Sequence, residues 1–148
     1  PDKKRIQAQL ADTGDDGDGE SLRARFKAAL QRCGALRGRV FGPMFVLHSF
    51  KGCKQQQWHT DYDPESLTRA RTKPCGALLA LQDGTRLAVR DAANGKQQDV
   101  VIDGGDCILF TGDMVHAGAA YSKENTRAHA YLDTVSVKRL PNTTWLCP

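Results

Sequence analysis

Short apolar runs separated by turn residues fill the chain from Val40 onward, and this pattern constrains the fold more than any other feature. Such runs, bounded by glycine, asparagine or aspartate, are typical of β-strands. The predicted strands cover residues 45–50, 55–62, 76–82, 86–90, 98–103, 106–111 and 126–137. Turn signals at Asp83-Gly84 and Asn94-Gly95 predict two successive hairpins. The pattern therefore predicts a mainly β protein, either a β-sandwich or a barrel-like jelly roll.

Two helices are predicted outside these strands. Ser21 is a suitable N-cap, and apolar residues then recur at helical spacing until Gly34 ends the pattern. The apolar face would consist of Leu22, Phe26, Leu30 and Cys33. We expect this helix to buttress the sheet. Asp63 followed by Pro64 predicts a short helical insert, because aspartate caps the first turn and proline fits within it.

The length of 148 residues fits one domain with one core. Residues 13–20 are rich in aspartate and glycine and too polar to join that core, so we predict that residues 1–20 form a flexible acidic segment. Residues 21–148 are then expected to form the single domain. Because the chain opens on Pro1 rather than Met, we expect a processed chain or part of a longer protein.

The net charge of +4 conceals a basic stretch at residues 21–39, which holds six basic residues and no acidic one. Such a face can contact nucleic acid or another polyanion, or it can be the solvated side of a helix, which we favour. No apolar run approaches the roughly 20 residues that span a bilayer, so no membrane partner is expected. Five cysteines without a Cys-x-x-Cys pair favour an intracellular, reducing compartment, cytoplasmic or nuclear, whereas the glycosylation sequon at Asn142 favours the opposite.

The candidate functional residues are His59, Asp61, His116 and Arg127. His59 and Asp61 stand two apart, so on a strand both side chains leave the same face. A second imidazole from His116 would complete a set of two nitrogens and one oxygen that leaves open positions on ferrous iron. Arg127 lies eleven residues after His116 and could anchor an acidic co-substrate, because its planar guanidinium grips a carboxylate with two hydrogen bonds.

The order His-x-Asp, distant His and then Arg resembles the signature of the iron(II)- and 2-oxoglutarate-dependent dioxygenases over roughly residues 45–137. The resemblance implies a double-stranded β-helix, a cupin-like jelly roll. It implies that His59, Asp61 and His116 bind iron and that Arg127 binds the distal carboxylate of 2-oxoglutarate. The implied reaction oxidises a substrate C–H bond and releases succinate and carbon dioxide, with ascorbate as a candidate reductant.

Strand alternation adds further candidates. Asn125, Arg127, His129 and Tyr131 share one face of a predicted strand. Either Tyr131 or His48, from the preceding strand, could give the co-substrate a second hydrogen bond, and each could equally be a core residue satisfied by a neighbour. Trp58 should face away from the metal. The basic insert at residues 69–73 is either a lid over an acidic substrate or a solvated helix.

Two other classes of function remain open. A zinc hydrolase could use the same three ligands with a bound water, although it would need an additional general base. A non-catalytic jelly-roll module could bind a partner through the basic stretch at residues 21–39. The sequence does not choose between a protein, a nucleic acid and a small molecule as the substrate of an oxygenase.

Overall fold

The computed structural model describes residues 3–10, 21–91, 93–141 and 143–148. Within these residues, two helices, α1 (Leu22–Arg32) and α2 (Pro64–Thr68), accompany ten strands. The strands are β1 (Arg5–Gln9), β2 (Val40–Ser49), β3 (His59–Thr60), β4 (Cys75–Ala80), β5 (Thr85–Arg90), β6 (Gln97–Ile102), β7 (Cys107–Thr111), β8 (Val115–Gly118), β9 (Asn125–Asp133) and β10 (Trp145–Leu146). Neither helix in the described part of the chain has the length and apolar composition of a membrane-spanning segment.

The strands form two antiparallel sheets, with the orders β1-β2-β9-β4-β7 and β10-β3-β8-β5-β6. The prediction of a mainly β double-stranded β-helix with one buttressing helix and a short helical insert is confirmed. The alternation of strands between the sheets places the two inner faces opposite each other, and the apolar residues Leu78, Leu87, Val89 and Phe110 pack between them.

Helix α1 covers the outer face of the first sheet. The Ser21 side chain accepts a hydrogen bond from the Ala24 amide, as expected for an N-cap. Phe26 and Leu30 are buried against Met44 of β2 and against the side chains of β9 that point outward. Those outward side chains are Ala128, Ala130 and Leu132. Helix α1 thus buries the outer face of β9. The opposite face of β9 is also buried, and it lines the interior of the barrel.

Part of the basic stretch at residues 21–39 serves packing. Arg23 donates a hydrogen bond to the Gly42 carbonyl, and its guanidinium carbon lies 4.7 Å from the centre of the Phe41 ring. Arg39 donates to the Lys73 carbonyl. Arg25 and Lys27 are exposed on α1. These contacts do not choose between a solvated face and a polyanion-binding face, and both interpretations stay predictions.

Three local predictions are wrong. Residues 5–9 form strand β1 rather than a flexible segment. As an edge strand, β1 pairs with β2 through backbone hydrogen bonds and needs no apolar side chains. Residues 11–20 of the predicted flexible segment lie outside the described residues. Only His59–Thr60 of residues 55–62 is a strand. The turn at 83–84 does not close a hairpin, since β4 pairs with β7 and β9, and β5 pairs with β6 and β8. The β5–β6 hairpin is confirmed.

Candidate metal centre

Two strands from distant parts of the chain bring the predicted metal ligands together. His59 on β3 and His116 on β8 are direct antiparallel partners, and their ring centroids lie 4.6 Å apart. Asp61 follows β3 immediately. Its Oδ1 lies 4.0 Å from His59 Nε2, and its Oδ2 lies 3.6 Å from His116 Nε2. One ligand atom from each of the three buried residues falls within 4.8 Å of the others.

Backbone carbonyls orient both imidazoles. His59 Nδ1 lies 2.8 Å from the Gln57 carbonyl oxygen, and His116 Nδ1 lies 3.0 Å from that of Met114. Because a carbonyl only accepts, each Nδ1 carries the proton and each Nε2 presents its lone pair towards Asp61. Burial, together with the nearby His116, lowers the pKa of His59 and favours its neutral form. Such outer hydrogen bonds are those that orient histidine ligands in metal sites.

The centre contains buried polar atoms that lack partners. Asp61 is 3% exposed, and its Oδ2 accepts no hydrogen bond from the described residues. His129 Nε2, on the inner face of β9, also has none and lies 3.7 Å from Asp61 Oδ2. Burial lowers the pKa of His129 to about 4, so its imidazole is neutral at pH 7. Ligand atoms of His59, Asp61 and His116 that converge on one point in a buried site fit a divalent cation.

Arg127 occupies the same cavity, whose volume is about 300 Å³, and is 2% exposed. Its Nη1 donates to Ser49 Oγ at 3.0 Å, and its guanidinium carbon lies 5.0 Å from the centre of the Tyr121 ring. No carboxylate among the described residues forms an ion pair with it. Desolvation lowers the pKa of this uncompensated guanidinium, and a bound anion would supply the missing counter-charge.

The structure separates the remaining candidates. Tyr131 lines the cavity, and its ring packs edge-on against Tyr62 and Phe45. His48 does not reach the cavity. It pairs across the sheet with Thr126, on the face opposite to Arg127, and its Nδ1 lies 2.8 Å from Thr126 Oγ1. The prediction that His48 could contact the co-substrate is therefore wrong, because the register turns its side chain outward.

Two predictions about residues that flank His59 and Asp61 in the chain have opposite outcomes. Trp58 packs outside the second sheet against a cluster that includes Ala88 and Ala117, as predicted. The basic insert that follows α2 does not line the metal cavity. Its Lys73 forms an ion pair with Asp113 instead, on the outside of the barrel. The insert is thus not a lid over the metal cavity in this structure.

Sequence reasoning missed Arg139, which also lines the cavity. It lies beyond β9, after a turn in which the Thr134 amide donates to the Val137 carbonyl. The Arg139 guanidinium carbon lies 4.1 Å from the centre of the Tyr131 ring. No motif marks this arginine, because its position depends on how the chain folds back after β9.

No protein-family model and no curated protein matches this chain. Among solved structures, a prolyl-4-hydroxylase from Pseudomonas putida superposes with a TM-score of 0.63 and 18% identity, covering 88% of this chain and 72% of that one. HygX from Streptomyces hygroscopicus, with nickel and 2-oxoglutarate bound, superposes with a TM-score of 0.64 and 11% identity, covering 90% of this chain and 71% of that one. A tryptophan-to-phenylalanine variant of oxalate decarboxylase from B. subtilis superposes with a TM-score of 0.50 and 13% identity, covering 71% of this chain and 24% of that one.

At these identities the likeness establishes the fold alone, and a fold of this kind carries more than one chemistry. The protein therefore has the double-stranded β-helix fold of the prolyl-4-hydroxylase and of HygX, and it holds a buried His-Asp-His site inside that fold.

Proposed function

We propose that the protein is an iron(II)- and 2-oxoglutarate-dependent dioxygenase that hydroxylates a C–H bond of its substrate and releases succinate and carbon dioxide. The observation that carries this proposal is that a His-Asp-His site and a buried, uncompensated arginine share one cavity. HygX, whose structure contains nickel and 2-oxoglutarate, supports it by having the same fold.

His59, Asp61 and His116 would hold the metal. The Nε2 atoms of the two histidines are already directed inward, because the carbonyls of Gln57 and Met114 orient their rings, so little reorganisation is needed on binding. Three protein ligands leave the coordination positions that a chelating co-substrate and oxygen require. When bound, iron(II) would activate molecular oxygen, which is the oxidant of both 2-oxoglutarate and the substrate, and the protein would supply position and shelter.

Arg127 would bind the distal carboxylate of the co-substrate. Arg127 and His129 leave the same face of β9 two residues apart, which separates their Cα atoms by about 7 Å. Since His129 lies beside Asp61, a five-carbon diacid can reach from the guanidinium to the metal ligands. The Ser49 hydroxyl, already bonded to Arg127, holds the guanidinium in place.

The apolar wall of the cavity would keep water from the reacting centre. Leu78, Leu87 and Phe110 line it, and the Phe110 ring centroid lies 4.7 Å from that of His116. Exclusion of water strengthens the electrostatic interactions inside the site and limits side reactions. No side chain needs to act as a nucleophile in this scheme.

The direct test measures formation of the chelate between metal and co-substrate first and turnover second. Metal-free protein is loaded anaerobically with iron(II) and 2-oxoglutarate to detect the visible charge-transfer band of an iron(II)–2-oxo acid chelate. Succinate is then quantified in air with ascorbate present. We expect both signals in the wild type, no metal retention in His116→Ala, and retained metal with 2-oxoglutarate affinity lowered at least about 30-fold in Arg127→Gln. The exposed Arg25→Gln on α1 serves as the matched control.

Absence of both the band and succinate would refute the proposal. The zinc-hydrolase alternative is tested in the same preparations by supplying zinc instead of iron with an ester substrate. Asp61 is the only carboxylate among the described residues that line the cavity, so a hydrolase would lack a free carboxylate as its general base. It would also leave the buried guanidinium of Arg127 without a role.

A further inference from the structure

Strand β9 spans the cavity from end to end. Arg127, His129 and Tyr131 project from its inner face at successive alternate positions, so the Cα atoms of Arg127 and Tyr131 are about 14 Å apart. His129, midway between them, faces Asp61. The metal ligands therefore lie between an end marked by Arg127 and an end marked by Tyr131.

Arg139 belongs to the Tyr131 end. Its guanidinium stacks on the Tyr131 ring at 4.1 Å, and its backbone amide donates to Asp133 Oδ1, which also accepts from the Tyr62 hydroxyl. The backbone is thus tied down while the side chain extends over an aromatic ring into the cavity. Arg139 and Arg127 consequently lie on opposite sides of the metal ligands.

The guanidinium of Arg139 has unused hydrogen-bonding capacity. Nη1 donates to the Leu140 carbonyl at 3.2 Å, whereas the buried Nε has no partner among the described residues. No described carboxylate lies within ion-pair distance of the group. A half-buried guanidinium held in this state fits an oxyanion that arrives with a ligand.

Two other cationic side chains among the described residues that line the cavity have polar partners, although the buried Nε of Arg5 has none. Arg86 Nη1 lies 3.8 Å from Asp99 Oδ2, and Arg5 donates hydrogen bonds to the carbonyls of Lys54 and Ala119. Arg127 is assigned to the co-substrate. Because Asp61 is the one acidic residue among the described residues that line the cavity, the cavity as a whole attracts anions.

We propose that Arg139 anchors the primary substrate through an oxyanion, a carboxylate or a phosphate, on the side of the metal site opposite to the co-substrate. This inference rests on the proposed function and narrows it to small acidic substrates or acidic groups small enough to share a cavity of about 300 Å³ with 2-oxoglutarate. The stacked Tyr131 ring would keep the guanidinium oriented, so that the adjoining C–H bond of the substrate faces the metal.

Binding of simple probes tests the inference without knowledge of the natural substrate. Zinc-loaded protein is saturated with N-oxalylglycine, an inert analogue of 2-oxoglutarate, and titrated by calorimetry with benzoate, phenyl phosphate and neutral benzamide. We expect at least one anion to bind about tenfold or more tightly than benzamide. Arg139→Gln should lower that affinity about tenfold, Arg139→Lys should restore part of it, and Arg25→Gln should leave it unchanged.

The outcomes separate the two proposals. Loss of N-oxalylglycine binding in the wild type would refute the co-substrate assignment, and the preference for anions over benzamide would still be measured in the zinc-loaded protein. Normal N-oxalylglycine binding with equal anion affinity in wild type and Arg139→Gln would overturn the Arg139 proposal. So would the absence of anion binding, or competition between the anion and N-oxalylglycine for one site. A preference between benzoate and phenyl phosphate identifies which oxyanion the site takes.

Discussion

The Asp61→Asn replacement should make the metal-free protein more stable than the wild type, and this advantage should disappear when metal is added. In the metal-free protein the carboxylate is buried beside imidazole lone pairs, with Oδ2 3.6 Å from His116 Nε2 and 3.7 Å from His129 Nε2. The Met114 carbonyl holds the His116 proton on Nδ1, so the contact between His116 Nε2 and Asp61 Oδ2 lacks a donor, and Oδ2 accepts no hydrogen bond from the described residues. An Asn side chain has nearly the same shape and an NH₂ group that can donate to such a nitrogen.

The size of the effect follows from these contacts. Relief of one buried, unsatisfied polar atom is worth about 1–3 kcal/mol. A chain of 148 residues gains roughly 3 °C in Tm for each kcal/mol, so metal-free Asp61→Asn should melt about 3–9 °C above the metal-free wild type. Metal at 100 times its Kd stabilises the wild type by about 2.7 kcal/mol, or roughly 8 °C. The variant has lost a charged ligand and should gain little.

The assay is calorimetric unfolding at pH 8 of both proteins, in EDTA and in excess zinc or anaerobic iron(II). The variant should be the more stable protein in EDTA and should lose that advantage in metal. Glu124→Gln makes the same carboxylate-to-amide change on the exposed surface and should behave as wild type in both conditions. The reasoning is refuted if Asp61→Asn melts below the wild type in EDTA, or if metal raises the Tm of both proteins equally.

Three further perturbations address the core and the pH response. In Gly76→Ala the added Cβ would overlap the Phe110 ring, so we expect a loss of about 1–3 kcal/mol in chemical denaturation and weaker metal binding in a metal titration. Phe26→Ala, under α1, should lower the unfolding free energy by about 3–5 kcal/mol while metal affinity, measured by the same titration, is unchanged. The pKa of His129 falls from 6.5 to about 4 on folding, so between these values the unfolded chain binds more protons. The metal-free protein should therefore lose roughly 3 kcal/mol as the pH falls from about 6.5 to 4, and His129→Gln should flatten that slope in acid titrations followed by circular dichroism.

The elements predicted best are those set by neighbours in the chain. The Ser21 cap, the spacing of Phe26 and Leu30, and the Asp63 cap of α2 each depend on residues within a few positions, and the structure contains all of them. Strand β1 was missed because its pairing with β2 depends on backbone hydrogen bonds, which leave no apolar signature. The turn at Gly84 looked like a hairpin because a tight turn does not reveal which sheet receives the next strand.

The sequence by itself determined the composition of the site. His59, Asp61, His116 and Arg127 are recognisable from their residue types and their order. Alternate side chains of β9 share one face because any strand has a side-chain period of two, whatever its position in the fold. Only the tertiary structure decided that His59 and His116 are register partners, that His48 faces outward and that Arg139 enters the cavity. These outcomes depend on pairing between segments far apart in the chain, and that pairing is set by packing of the whole barrel rather than by local spacing.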